Sequence, residues 1–356
     1  MIKIGINGLG RIGRAIFRIV SNFNDVEVTA INDINPEIEN MVYLLRYDSF
    51  YGRFGKTIFV KNGNIIFNRK AIPVFHEEVI SDVDWAKYCD VVIEAAGVHS
   101  NLKHMPKIIE SGVKKIIVTY SPDEVINHTI VLGANEQTYE PAKHHIISSS
   151  ICDTVAFAPV YRLVDEKFGI ESGFLTTLHP WLSYQNLLDG PSVSWGIPGT
   201  LYQHYAIGRA STASIIPKPT SAIEATEKVL PGVLEKMKCY SFRVPTPVVG
   251  AADITFKLKS EATPEKLIKT FKKFERNQKW SIIKINSEQL VSVDITGTDY
   301  SAVIDTRWIE VAKGDLVNIT LWYDNEWGYS RRVVDLIRHL FKLKPRHIIS
   351  EKNSLS

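Results

Sequence analysis

Cys152 and His179 are the side chains in this sequence whose types and surroundings fit nucleophilic chemistry. The cysteine lies in Ile147-Ser-Ser-Ser-Ile-Cys-Asp-Thr-Val, where an extended apolar run (Lys143 to Ile147) stops at a serine cluster. A pattern with Val155, Phe157, Val160 and Leu163 follows, which predicts a helix whose first turn holds Cys152. Backbone N–H groups there lack helical partners and the helix end carries partial positive charge, so a thiolate gains on a thiol. A cysteine taken alone is more often a buried, inert packing residue; the company it keeps decides for chemistry. His179 closes the threonine-bearing strand Leu175-Thr-Thr-Leu-His. An imidazole within hydrogen-bond reach of the sulfur takes the thiol proton and passes it to the oxygen of a hemithioacetal, whereas a histidine alone is ordinarily a hydrogen-bonded core residue.

A second set of residues is arranged to hold a nucleotide. Met1 to Asn7 reads as a buried strand, Gly8-Leu-Gly-Arg-Ile-Gly13 follows at once, then a helix pattern (Ile12, Ala15, Ile16, Ile19, Val20) and a second apolar strand, Val26 to Ile31, ending in Asn32-Asp33. Gly8 permits the tight turn, Gly10 lets the main chain approach a pyrophosphate, and Gly13 lets the helix pack close to the sheet; Arg11 and Ile12 belong to the same turn. Asp33 comes 20 residues after Gly13. There its carboxylate accepts hydrogen bonds from an adenosine ribose and repels a 2′-phosphate, which favours NAD over NADP. A glycine triplet alone is a weak signal; strand, helix, second strand and acid in this order make it a dinucleotide site.

The elements that must position these groups form two sets. Tyr43 to Trp85 reads as hairpins inserted in a parallel sheet, Asp90 to Gly97 as a buried strand ending in small residues, Leu102 to Glu110 as a helix, and Lys115 to Thr119 and Thr129 to Gly133 as strands. Residues 1–150 are thus expected to form a doubly wound parallel Rossmann domain with ligands at the carboxyl ends of its strands. Residues 151–327, with longer strands at Gly173 to His179, Phe242 to Val244, Asp253 to Leu258, Ala302 to Asp305 and Leu316 to Tyr323, are expected to form an α+β catalytic domain with a mostly antiparallel sheet. The fold class is α/β overall. A helix from Gly328 to Leu343 is expected to return to the first domain, with a polar, mobile tail completing 328–356. A chain of 356 residues, 45% apolar and 23% charged, is long enough for two cores. Its net charge of +3 and lack of a long basic run argue against nucleic acid as a partner. The three cysteines (Cys89, Cys152, Cys239) are too few and scattered for a disulfide framework or a structural zinc site. No metal is expected, and a reducing compartment is. Without an apolar leader or a run of membrane-spanning length, a cytoplasmic protein and no membrane partner are expected.

Six segments stand out together: Ile4-Gly-Ile-Asn-Gly-Leu-Gly-Arg-Ile-Gly-Arg14, Ser-Ile-Cys152, Leu175-Thr-Thr-Leu-His179, Leu188-Asp-Gly-Pro-Ser192, Phe242-Arg-Val-Pro-Thr246 and Trp322-Tyr-Asp-Asn-Glu-Trp-Gly-Tyr-Ser330. Through them the sequence resembles, across nearly its whole length, the glyceraldehyde-3-phosphate dehydrogenase family. The last segment is specific to this family and its erythrose-4-phosphate dehydrogenase relatives. The resemblance implies a homotetramer with bound NAD, in which the cysteine attacks an aldehyde and the resulting thioester is cleaved by phosphate or water. It also implies that Asn325 holds the nicotinamide carboxamide, that Tyr329 packs on the ring, that Thr119 touches the cofactor, and that Arg209, Arg243 and Thr220 bind substrate anions. Read without the family, Asn325 is a helix cap.

The departures from the family are informative. Its serine and threonine flanking the cysteine appear here as Ile151 and Asp153, its threonine three residues after the histidine as Leu182, and the glycine after Thr220 as Ser221. Asp153 is expected to oppose an attacking phosphate and the thiolate beside it, either as an orienter of water or simply as a carboxylate at a helix start. The expected substrate is an anionic or phosphorylated aldehyde, oxidised without efficient phosphorolysis. The alternative is a silent NAD-binding scaffold. The loop at 193–207 is longer than the family's, and its Trp195, Tyr202 and Tyr205 are expected at an interface or in an altered pocket, or else simply packed within an exposed loop.

Overall fold

The computed structural model describes residues 1–123 and 126–345; the tail expected beyond Lys344 falls, from residue 346, outside the described residues. Ile2–Asn7, buried at every position except Lys3, lies centrally in a nine-stranded sheet, flanked in parallel by Val26–Asn32 and Val91–Glu94. Lys115–Val118 and Ile146–Ser148 continue the parallel set, and Ile146–Ser148 delivers the chain to the cysteine. At the other edge Lys70–Phe75 pairs parallel to Val26–Asn32, then Asn64–Phe67 and Ile58–Lys61 add antiparallel. The hairpin therefore extends the sheet at one edge and interrupts nothing. Its two-residue turn, Asn62-Gly63, has both φ values positive (50° and 71°), the conformation that a tight hairpin requires.

An eight-stranded second sheet runs Ile216–Lys218, Met237–Val244, Ile170–Pro180, Gly250–Leu258, Leu316–Tyr323, Ala302–Asp305, Ile283–Asn286, with Glu310–Ala312 beside Leu316–Tyr323. It is antiparallel except for two pairs. One of these, Ile170–Pro180 with Met237–Val244, sets His179 directly opposite Arg243. A parallel pair needs a crossover, and this one is made through the long 181–215 segment and two short helices, Ala222–Glu227 and Val233–Lys236.

The helix expected at the cysteine is present as Cys152–Phe168. The one expected at Leu102 to Glu110 divides into a 3₁₀ turn, His99–His104, and a helix, Met105–Glu110. Pro106 lies in the first turn of Met105–Glu110, where its ring and missing N–H are best tolerated. A helix at Pro264–Asn277, capped by the Thr263 hydroxyl accepting from the Lys266 amide at 3.3 Å, was not anticipated. Trp327–Leu340 packs against the first helix, Arg11–Val20. No described helix is long and apolar enough to cross a membrane.

Candidate active site

Two elements meet at the sulfur. The chain leaves Ile146–Ser148, turns through Ser150 at φ 62°, and begins the Cys152–Phe168 helix with Ile151 as an extended N-cap. His179 is the penultimate residue of Ile170–Pro180. Cys152 Sγ and His179 Nε2 are 3.5 Å apart. His179 Nδ1 lies 2.7 Å from the Pro180 carbonyl oxygen, which can only accept, so Nδ1 carries the proton and Nε2 offers its lone pair to the sulfur. Burial, reinforced by the Arg243 guanidinium, pulls the imidazole pKa down to about 4, so the ring is neutral at physiological pH.

Asp153 is the hub of the site. It is 6% exposed, and its Oδ1 lies 3.6 Å from Sγ and 3.8 Å from His179 Nε2. The Tyr323 hydroxyl donates to Oδ1 at 2.7 Å and the Thr220 hydroxyl to Oδ2 at 3.3 Å. A carboxylate serving only the helix end would face solvent; this one is gripped from two other strands and loops. Burial first, then the Asp153 charge, push the Cys152 thiol well above its usual range, and Arg243 opposes them. The expected antagonism between Asp153 and the thiolate is therefore built into the site.

Two cations, Arg243 and Lys218, act electrostatically on these groups. Arg243 is 7% exposed and its Nε, buried, has no hydrogen-bond partner, an arrangement that awaits an acceptor. Lys218, on the edge strand paired with that of Arg243, has its pKa lowered by burial and then by Arg243, and it feels the Asp153 charge. Arg209 does not join them: it is exposed, with Nε donating to Asp189 Oδ2 at 2.8 Å.

On the nucleotide side, Gly8 has φ 92°, and a Cβ there would meet Ala96 N at 2.5 Å. A Cβ on Gly13 would meet Gly8 O at 2.1 Å, whereas one on Gly10 meets nothing within 4 Å. The first turn of Arg11–Val20 has no side-chain cap. Open space at Gly10 beside uncapped amides fits a pyrophosphate. Asp33 Oδ2 accepts from Leu9 N at 2.6 Å, which fixes the acid across the glycine turn. Arg11 turns its side chain to Glu326 (Nε to Oε1, 3.0 Å) and Asp48, and Ile12 packs on the core. Thr119 donates to the Glu94 carbonyl at 2.9 Å. Asn325 Oδ1 accepts from Val249 N at 3.1 Å, and Asp324 Oδ1, accepting from Glu326 and Trp327 amides, caps the helix start instead. Tyr329 is buried, its hydroxyl between Ser149 Oγ (2.7 Å) and the Ser150 carbonyl (3.0 Å), under the cysteine loop. In the 193–207 loop, Trp195 donates to the Ala96 carbonyl at 2.5 Å and its ring lies against Gly97 of the same chain. Tyr202 packs on Tyr184, and Tyr205 is exposed.

Residues 2–102 match the family described as glyceraldehyde 3-phosphate dehydrogenase, NAD binding domain, and residues 151–325 match glyceraldehyde 3-phosphate dehydrogenase, C-terminal domain. The chain belongs to the glyceraldehyde-3-phosphate dehydrogenase family. It is 36% identical over 340 residues to glyceraldehyde-3-phosphate dehydrogenase 2 of Bacillus subtilis, covering 95% of this chain and 96% of the relative. It is also 36% identical to glyceraldehyde-3-phosphate dehydrogenase of Geobacillus stearothermophilus (95% and 98% covered) and 37% identical to that of Shimwellia blattae (96% and 99% covered).

Two further residues, Lys218 and Glu94, shape the site without belonging to the motifs above. Lys218 carried a signal, a lone cation between two prolines just before Thr220. Glu94 carried none: it reads as the polar end of a strand. It is fully buried and accepts from Asn7 and Asn101 side chains (2.6 and 3.0 Å) and from Ala96 and Gly97 amides (2.9 and 3.1 Å). It thereby sets the turn that packs on Gly8.

Proposed function

We propose that this chain oxidises a phosphorylated or similarly anionic aldehyde through a hemithioacetal and a thioester on Cys152, with water able to act as the acyl acceptor. The observation that carries the reading is the 3.5 Å approach of Cys152 Sγ to a neutral His179 Nε2 whose other nitrogen is tied to Pro180. His179 takes the thiol proton as the sulfur adds to the carbonyl carbon, and protonates the resulting oxygen. Bound NAD supplies a hydride acceptor. His179 then removes the hydroxyl proton as the C–H bond is lost, leaving the thioester. Water attacks the acyl carbon, a carboxylate departs, and the thiol is restored.

Arg243 with its unpartnered Nε, and Lys218 beside it, support an anionic substrate. Asp153 supports water over phosphate: two like charges about 4 Å apart cost roughly 4 kcal/mol at the effective dielectric near a protein surface. Held by Tyr323 and Thr220, its carboxylate is placed to orient that water. The NAD contacts are assigned to the Gly8, Gly10 and Gly13 turn with Arg11 and Ile12, to Asp33 for the ribose, and to Thr119, Asn325 and Tyr329 near the nicotinamide. The division at residue 150 into nucleotide-binding and catalytic parts, with the last helix returning, is part of the same reading, as are a cytoplasmic location and a homotetramer. A silent scaffold is not favoured, since Cys152, His179 and Arg243 remain assembled. Steady-state assays with NAD and glyceraldehyde 3-phosphate, with and without inorganic phosphate, test the acyl acceptor. NADH formation nearly independent of phosphate is expected; strong phosphate dependence overturns the hydrolytic step, and no turnover with any anionic aldehyde overturns the reading.

A further inference from the structure

Cys152, Asp153 and His179 place three different metal-binding atoms within 4.8 Å of one another. The separations are 3.5 Å for Sγ to Nε2, 3.6 Å for Sγ to Oδ1 and 3.8 Å for Nε2 to Oδ1. Tetrahedral zinc, with bonds of ~2.3 Å to sulfur and ~2.0–2.2 Å to nitrogen and oxygen, sets its ligand atoms roughly 3.3–3.6 Å apart. The three atoms therefore already span most of a tetrahedron, and only the nitrogen–oxygen edge must contract slightly. We infer that Cys152, Asp153 and His179 form a three-ligand site for one zinc-class divalent cation, whose binding silences the nucleophile.

The surroundings support a ligand set. The Nδ1 bond to Pro180 O fixes the tautomer that presents Nε2 as a donor atom, and the Tyr323 and Thr220 hydroxyls orient the carboxylate. Such outer partners are what hold metal ligands in place. Cys152 and Asp153 sit on the first turn of a 17-residue helix and His179 near the end of an 11-residue strand, so the frame is rigid. Charge also fits. A thiolate and a carboxylate together balance a dication, and binding displaces the thiol proton to solvent, so affinity rises with pH while the thiol is protonated. Arg243 and Lys218 face the same space and oppose a cation, which keeps the site conditional and reversible. The same sulfur is the one proposed to attack the aldehyde, so metal and substrate exclude one another. The family's threonine in place of Asp153 would leave only two such ligands.

The inference rests on the proposed site but not on its turnover, and the test reads binding directly. Co²⁺ is titrated into the reduced full-length protein, followed by Zn²⁺, with spectra and iodoacetamide labelling of Cys152 as readouts. One equivalent per chain is expected, with thiolate-to-cobalt charge transfer, intense tetrahedral d–d bands, displacement by Zn²⁺, and protection of Cys152. Asp153→Asn and His179→Asn should each weaken binding at least tenfold while circular dichroism stays native, and Cys239→Ala should change nothing. Absence of the charge-transfer band, or binding unaltered by both Asp153→Asn and His179→Asn, overturns the inference and leaves the dehydrogenase reading standing. Metal binding in a protein that turns over no aldehyde overturns that reading alone.

Discussion

Burial disfavours the Cys152 thiolate most; the Asp153 carboxylate 3.6 Å from the sulfur adds direct repulsion and a hydrogen bond that favours the thiol. At any given pH the wild-type cysteine is thus less ionised than an ordinary one. The rate of Cys152 alkylation should rise with a midpoint above the ~8.5 of free cysteine. In Asp153→Thr the midpoint should fall and added phosphate should accelerate turnover; an unmoved alkylation profile would show that Asp153 does not control the thiol. His179 gives a separate signature. Its folded pKa, lowered to about 4 by burial, lies below the ~6.5 of an unperturbed histidine. Between those values the unfolded chain binds a proton that the native chain does not, so stability drops as pH falls through that window. Denaturant midpoints should decline from pH 7 to pH 5 in wild type and decline less in His179→Asn. The same substitution should cut kcat by ~10²–10⁴, the usual worth of a positioned base.

At the scale of elements, the turn after Val91–Glu94 shows what a pattern of residue types conveys and what it hides. The glycine turn, the helix and the acid at Asp33 were legible because each obeys a local steric or electrostatic rule. Cys152 at a helix start was legible for the same reason. Glu94 was not, because its role depends on Asn7 and Asn101 arriving from other elements, and burial that raises its pKa to about 7 has no sequence signature. Arg209 misled in the opposite direction: a motif match put it in the pocket, and the loop carries it to Asp189 at the surface. Pro106 split a helix that periodicity alone makes continuous. Glu94→Gln tests the turn. An amide NH₂ would then face donors that now share a carboxylate, and a buried unpaired donor costs ~1–3 kcal/mol. A lower melting midpoint and roughly tenfold weaker NAD binding by calorimetry are expected; native NAD affinity would mean that the turn does not position the nucleotide.

The second sheet presents a long outer face on the whole molecule. Strand alternation sends Leu175, Thr177 and His179 inward, so Phe174, Thr176 and Leu178 face out, and the parallel register lines them up with Lys238, Tyr240 and Phe242. Phe174, Leu178 and Tyr240 are 57%, 41% and 46% exposed. Scattered apolar residues on a surface are ordinary, but a contiguous apolar strip on a long sheet face is a place for another protein surface. A second copy of the chain is the occupant that the proposed homotetramer supplies, and covering this face would stiffen the strands that hold His179 and Arg243. Phe174→Lys combined with Tyr240→Lys should therefore lower the mass measured by light scattering from an assembly to smaller species, with the far-ultraviolet circular dichroism unchanged. Because the inward residues of the same strands form the site, kcat should fall alongside the mass and recover at high protein concentration. An unaltered mass in the double variant would remove this face from the assembly and leave the strip unexplained.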